Sequence, residues 1–268
     1  MTKRVLITGA AGNLGTKLAP PFAEEFDVRL TDIKPVDGVR ALDLTEYSSS
    51  WADLFEGVDT IVHLGGEPSP YASWKRVHTG NVQTTMNILR AAKQFGVRRI
   101  AFASSNHVMG AYRYRAVSIT SKLAPAPLNP YGVSKLICEE LGRIFASETG
   151  GDFLACRIGN IPRGPNPPGK HLGPGTWWQD MWLSDRDFVE AFRCAILAEP
   201  FGFAILNFVS DNPGMRWDLS DAETVIGYKP QDGAAAIADE ISGPEEARTV
   251  SGSYDAGEWL SHFFKELD

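Results

Sequence analysis

The eight residues TGAAGNLG, 8–15, limit what this chain can become more than any other part of it. They follow the apolar, β-branched run RVLITG (4–9) and lead into a stretch with helical spacing of apolar residues from about 13 to 25. Glycines three apart at a strand-to-helix junction have a physical use. Gly9 permits the tight turn, Gly12 lets backbone amides approach a pyrophosphate, and Gly15 lets the helix pack close to the strand. The helix N-terminus at Asn13, Leu14 and Gly15 then supplies N–H groups and the positive end of a dipole. A dinucleotide is the ligand this junction suits.

Asp32 narrows the choice. It ends the second strand-like run, DVRLTD (27–32), 23 residues after Gly9. A carboxylate there accepts both ribose hydroxyls of an adenosine and repels a 2′-phosphate. NAD is therefore expected over NADP, although Lys34 nearby keeps the phosphorylated form open. Asp43, followed by Leu44 at the end of VRALDL (39–44), is either an acceptor for the adenine amino group or a solvated turn residue.

Strand-like and helix-like runs alternate from here. A helix near 48–56, the strand DTIVHLG (59–65), a long helix around 75–95 and the strand RRIAFASS (98–105) come first. A helix from 130 to about 149, the strand FLACRIG (153–159), a helix at 184–198, a strand at 203–209 and a short helix at 218–226 complete the series. This order predicts an α/β fold: a doubly wound parallel sheet, Rossmann-like, with a small C-terminal substrate-binding region. Residues 1–159 would form the nucleotide-binding core with the catalytic residues, and 160–268 the substrate region and lid packed on it as one unit. The stretch IPRGPNPPGKHLGPGTWWQ (161–179) is too long for an ordinary connection, and reads as a functional lid or a rigid surface loop. The tail from about 233 carries few structural signals, and its acidic part after about 240 is either mobile or a cover for the site.

With a dinucleotide site in place, NPYGVSK (129–135) becomes chemically meaningful. Tyr131 and Lys135 lie four apart, on one face of a helix. Oxidising an alcohol needs a base for the hydroxyl proton, and free tyrosine, with a pKa near 10, is a poor one. A lysine ammonium one turn away and the positive nicotinamide ring lower that pKa, and Lys135 can also hold the nicotinamide ribose. Ser105, closing the strand FASS, would orient the substrate oxygen at the sheet end where ligands gather.

Charge and cysteine usage exclude other classes. A net charge of −7 with no Lys/Arg cluster gives no footprint for nucleic acid. No apolar run approaches a membrane span, no signal-like segment precedes the first strand, and a cytoplasmic location is expected. Cys138, Cys156 and Cys194 are widely spaced and read as reduced, buried thiols; the five histidines show no ligand spacing, so no metal is expected.

Together, TGAAGNLG, Asp32, HLGG (63–66), Asn81, SSNH (104–107) and YGVSK (131–135) resemble the extended short-chain dehydrogenase/reductase superfamily over about residues 4–232. The resemblance implies Ser105, Tyr131 and Lys135 as a catalytic triad, with Leu64, Gly65, Gly66 and Asn81 lining the cofactor. FASSNH, YGVSK, RIGN, MWLSDRDF, SDN and GYKPQD are further similar to a sugar dehydrogenase subgroup, the uronate dehydrogenases and haloarchaeal NAD-dependent glucose-6-phosphate dehydrogenases. That likeness implies oxidation at C1 of a pyranose to a lactone, with an anion at C6. It also implies that Ser105, Asn106 and His107 grip sugar hydroxyls and that Asn160 lines the site, with strand-end capping the alternative for Asn106 and His107. A homodimer through the helix at 133–148, whose apolar positions 136, 137, 141, 144 and 145 make one buried face, follows from the same likeness.

The chain departs from the subgroup in two places. Members carry an arginine a few residues before the W-L/F-S step, suited to pair with the C6 anion; this chain has Trp177, with Trp178 beside it. Arg163, Lys170 and His171 on the lid are the expected replacements. A sulfonate such as that of sulfoquinovose, shared by indole and lysine donors, and a neutral sugar stacked on Trp177 or Trp178 both remain open. Glu67, after the two glycines, lies closer to the glucose-6-phosphate type and either accepts sugar hydroxyls or is a solvated loop residue. A nucleotide-sugar epimerase or dehydratase is the rival enzyme, although few residues follow Gly159 to hold a nucleoside diphosphate; a non-catalytic NAD-binding regulator is the third reading.

Overall fold

Seven parallel strands form the centre of the protein, in the order β3-β2-β1-β4-β5-β6-β7. The computed structural model describes residues 2–173 and 175–237. The strands are β1 (Arg4–Thr8), β2 (Asp27–Asp32), β3 (Arg40–Ala41), β4 (Thr60–His63), β5 (Arg99–Ser105), β6 (Asp152–Ile158) and β7 (Phe203–Phe208). The helices are α1 (Asn13–Glu25), α2 (Ala52–Phe55), α3 (Trp74–Val77), α4 (Thr84–Phe95), α5 (Pro130–Thr149), α6 (Trp177–Asp180), α7 (Asp185–Leu197) and α8 (Ser220–Ile226). β5 and β6 are buried at every position, as the continuous apolar runs require of strands covered on both faces.

Alternation divides the core. Val5 and Ile7 point to the cluster with Leu18, Phe22, Phe188 and Phe192, under α1 and α7. Leu6 points the other way, to Ile61, Ile88, Phe102, Phe145 and Phe153 under α4 and α5. A third, smaller cluster gathers Val108, Met109, Tyr112, Trp177, Met181 and Trp217 beyond the ends of the strands. Chain order reverses between β1 and β4, where the loops after Thr8 and His63 emerge side by side. That junction is where ligands bind in open α/β sheets.

Three elements differ from the sequence reading. The third strand shrinks to Arg40–Ala41, because Asp43 turns back to accept the Thr45 N–H at 2.9 Å and Leu44 drops into the core. The helix expected around 75–95 contains a π-turn, His78–Gln83, between α3 and α4. On α5 the fully buried positions include Lys135, Cys138, Glu139, Gly142 and Phe145, while Ile144 is 48% exposed. Gly142 explains this: a Cβ there would run into the Phe153 ring, so the helix lies too close to the sheet for large side chains. Cys138 and Cys156 are buried and Cys194 is half-buried. No described helix is long and apolar enough to cross a membrane, and no described group of three or more His, Cys, Asp or Glu is placed to hold a metal. The acidic tail lies outside the described residues.

Candidate functional site

The glycine junction has the geometry its sequence demands. Gly9 adopts φ +70°, and a Cβ on it would stand 2.6 Å from the Gly65 nitrogen, so the two loops touch backbone to backbone. A Cβ on Gly15 would enter the carbonyl of Gly9, so α1 begins directly on the loop. Gly12 caps α1 without a side-chain hydrogen bond, which leaves the first-turn N–H groups without a side-chain acceptor. The Asp32 carboxylate is 8% exposed and accepts the Ala11 and Lys34 N–H groups, each at 3.0 Å. These two bonds fix the carboxylate beside the loop and leave lone pairs for further donors. Asn13 sends its side chain elsewhere, to the carbonyls of Ile161 and Pro162, tying α1 to the segment after β6. Asp43 is exposed in its turn, and Leu44 is buried against the Gly65 loop.

On the other side of the switch point, Gly66 packs on Asn81, whose Oδ1 would meet a Cβ at 2.5 Å. Asn81 accepts the Glu67 N–H at 2.9 Å and donates to Ser134 Oγ at 2.9 Å. It thereby links the loop after β4 to the first turns of α5, from within a π-turn of the kind often found at functional sites. Leu64 and Gly65 hang on Thr8 through bonds to its carbonyl and hydroxyl, each 3.2 Å. His63 closes β4, bonded to Thr8 Oγ1 at 2.7 Å and held neutral by burial, with its pKa pushed down to about 3. Gly9, Gly12, the first turn of α1 and Asp32 could hold a dinucleotide: they offer backbone with no room for a Cβ, helix amides without a side-chain acceptor and a fixed carboxylate.

Ser105, Tyr131 and Lys135 come together at the adjoining strand end. Asn129 caps α5 by accepting the Gly132 N–H at 2.7 Å, and Pro130 is the first helical residue, so Tyr131 lies in the first turn. Ser105 donates to Asn106 Oδ1 at 3.0 Å and is hydrogen-bonded to Tyr131. The Lys135 ammonium donates to the Ala103 carbonyl at 2.9 Å and stands 5.6 Å from the Tyr131 ring centre. Burial lowers its pKa to about 8, against the opposing pull of Cys138 and Glu139, so it stays charged at neutral pH. Burial raises the Tyr131 pKa to about 12, the Ser105 bond opposes the rise, and the charge of Glu67 adds to it. A base here must gain positive charge from a bound partner.

Past Ser105 the chain makes a 3-10 segment, Asn106–Tyr114, that sequence patterns did not reveal. Asn106 is buried between Ser105 and Met181, to whose sulfur it donates. The His107 ring stands edge-on to Tyr131 at 5.5 Å and 6.0 Å from Trp178. Its Nδ1 lies 3.1 Å from the Asn129 amide nitrogen. Because Asn129 Oδ1 is committed to Gly132, that nitrogen is the donor and the imidazole proton sits on Nε2. Burial lowers the His107 pKa to about 4.

Asn106, His107, Trp177 and Trp178 line one cleft, with Asn129 and Arg113 beside them and Tyr71 at its rim, around about 500 Å³ of space partly open to solvent. Trp177 is buried against Trp217 at 5.4 Å. Glu67 sits near the Tyr131 side, paired with Arg76 at 2.5 Å. Asn160 does not line the cleft: its amide donates to the carbonyls of Leu172 and Trp178 and holds the lid segment down. Arg163, Lys170 and His171 are exposed on that segment and stand outside the cleft wall. Arg113, Asn129 and Tyr71 are among the cleft residues absent from the sequence reading. Asn129 was visible as a cap before Pro130, whereas Arg113 has no motif.

The chain is similar to known proteins. The model of the NAD dependent epimerase/dehydratase family matches residues 5–197. An NAD-dependent glucose-6-phosphate dehydrogenase of Haloferax volcanii is 33% identical, over 92% of this chain and 100% of its own length. An L-arabinose 1-dehydrogenase (NAD(P)(+)) of the same organism is 31% identical, over 87% of this chain and 98% of its own. Among solved structures, a glucuronic acid dehydrogenase from Chromohalobacter salexigens superposes with a TM-score of 0.77 at 28% identity, covering 97% of each chain.

Proposed function

We propose that this chain, which belongs to the NAD dependent epimerase/dehydratase family, is an NAD-dependent sugar dehydrogenase that oxidises C1 of an aldohexose carrying an anion at C6 and yields the lactone. The observation that carries the reading is the convergence of Ser105, Tyr131 and Lys135 at the end of β5, next to the cleft lined by Asn106, His107 and Trp178. The name of the arabinose enzyme supports C1 as the position, and the glucose-6-phosphate and glucuronate enzymes support the anion. In this reading residues 1–159 carry the nucleotide and the catalytic residues, and 160–268 supply the substrate-binding region and lid.

NAD, when bound, takes the hydride from the sugar carbon and brings a positive charge to the site. Gly9, Gly12 and the first turn of α1 would hold its pyrophosphate, Asp32 its adenosine ribose, and Lys135 its second ribose. Ser105 accepts from Tyr131 and positions the sugar hydroxyl. Tyr131 receives that hydroxyl's proton as the base, and the Lys135 ammonium stabilises the phenolate through the field it exerts from the next turn. His107, donating from Nε2, holds a second sugar oxygen. Ile144 and Met86, 48% and 47% exposed on α5 and α4, support a homodimer.

Purified protein is mixed with NAD or NADP and with glucuronate, glucose 6-phosphate, sulfoquinovose or glucose, and NADH absorbance is followed. NADH formation with at least one sugar, abolished in Tyr131→Phe, is the expected outcome. Protein that binds NAD yet reduces it with none of the four would sink the assignment and favour a nucleotide-sugar epimerase.

A further inference from the structure

We infer that Arg113 and Trp178 form the subsite for an oxyanion at the end of the sugar remote from C1. The inference rests on the dehydrogenase reading above for its substrate. Arg163, Lys170 and His171, the expected partners of the anion, are exposed and stand outside the cleft. Among the described residues lining that cleft, Arg113 is the one that carries a fixed positive charge.

The backbone beneath Arg113 is anchored on both sides. Ala111 donates to the Ala126 carbonyl at 2.9 Å, the Tyr112 hydroxyl donates to the Ala124 carbonyl at 2.8 Å, and Arg115 N–H returns to the Tyr112 carbonyl at 3.1 Å. The guanidinium lies 5.6 Å from the centre of the Trp178 ring, a cation–aromatic contact that orients its planar fork. Trp178 supplies a second, independent observation: its Nε1–H is buried and has no hydrogen-bond partner among the described residues. Buried donors are almost always satisfied, so an orphan in the wall of a cleft marks a place for a ligand acceptor. A planar fork beside an N–H donor matches a group with two or three oxygens, whether carboxylate, sulfonate or phosphate.

The arrangement also has a direction. Tyr131, His107, Trp178 and Arg113 follow one another at 5.5, 6.0 and 5.6 Å. With the proton acceptor at one end of this row, the oxyanion meets Arg113 at the other.

The test is calorimetric binding of glucuronate, glucose 6-phosphate, sulfoquinovose and glucose to the NAD-saturated protein, with kcat/KM measured for each. At least one anionic sugar binds more tightly than glucose, and which one identifies the oxyanion. In Arg113→Gln that preference falls roughly 10- to 150-fold, the loss expected of a charge-assisted hydrogen bond, and mainly through KM. Arg113→Lys restores part of it, and Trp178→Phe, which keeps the ring but not the N–H, loses roughly 2- to 12-fold. Melting curves establish that each variant is folded. No preference for any anionic sugar, or a preference unmoved in folded Arg113→Gln, overturns the inference. Turnover of glucose without anionic preference overturns it and leaves the dehydrogenase reading standing. Anion preference in binding, with no NADH from any sugar, does the reverse.

Discussion

Glu139 and Arg157 face each other in the centre of the protein, joined by two hydrogen bonds of 3.0 and 2.8 Å and exposed by 0% and 1%. Ser104 donates to the same carboxylate at 2.5 Å, and the remaining arginine edge rests on the Met109 sulfur at 3.0 Å. Glu139 lies one turn beyond Lys135 and supports its positive charge. Breaking one side strands a buried charge. Arg157→Leu is expected to cost about 3–5 kcal/mol of unfolding free energy. The double variant Arg157→Leu/Glu139→Leu should recover most of that in urea unfolding. A double variant as unstable as the single would mean that the arginine acts through packing.

The proposed base must lose its proton to work, so rate should rise with pH. Burial holds the Tyr131 phenol near 12, above its usual 10, in the protein without cofactor. Under saturating NAD the apparent pKa of the rate profile should fall well below that value, because two positive charges then favour the phenolate. Lys135→Met removes one of them and should move the rise in kcat/KM to higher pH by about one unit or more. Tyr131→Phe should lose roughly a hundred- to ten-thousand-fold in kcat at every pH. A profile unchanged in Lys135→Met would remove the lysine from the base's environment.

The sheet and the glycine junction were legible in the sequence because both rest on local pattern. RVLITG, DVRLTD and RRIAFASS alternate with helices whose ends carry Gly96, Asn129 and Gly150, and α1 and α5 begin and end where the spacing puts them. The substrate cleft was not legible to the same degree. Arg113 reaches it through a 3-10 segment that has no periodic signature, and Trp177 and Trp178 reach it through α6, one turn long. Asn160 and Asn13, expected at the ligand sites, donate their amide N–H groups to backbone carbonyls of the segment after β6 and of Trp178. Sequence order says which residues are near a strand end. It does not say which of two backbones claims a short polar side chain.

Gly9 and Gly15 test the cofactor site without touching the base. Ala at Gly15 would drive a methyl into the Gly9 carbonyl, and Ala at Gly9 adds the strain of φ +70° to a clash with Gly65. Relief requires α1 or the β4 loop to withdraw, at an overpacking cost of about 1–3 kcal/mol. NAD affinity, followed by calorimetry, should weaken roughly 5- to 150-fold in Gly15→Ala. An affinity within a factor of two of the parent would place the pyrophosphate elsewhere.

Asn129 offers a way to separate the cap from the chemistry. Its Oδ1 accepts the Gly132 N–H, while its amide nitrogen, 3.1 Å from His107 Nδ1, makes that atom an acceptor. Asn129→Asp keeps the capping acceptor, so stability near neutral pH should stay within about 1 kcal/mol of the parent. The second carboxylate oxygen now faces Nδ1 and demands a proton there, and its charge favours the imidazolium. In the parent, His107 is held down to about 4. Between that value and the unfolded value of 6.5, the unfolded chain binds the extra proton, and stability falls as pH drops through this window. In the aspartate variant the folded pKa rises, so that loss should shrink or reverse. Histidine Cε1 proton shifts followed by NMR from pH 4 to pH 8 give the readout. If the His107 resonance titrates alike in parent and variant, Asn129 does not set the tautomer, and its place beside the sugar cleft is that of a helix cap alone.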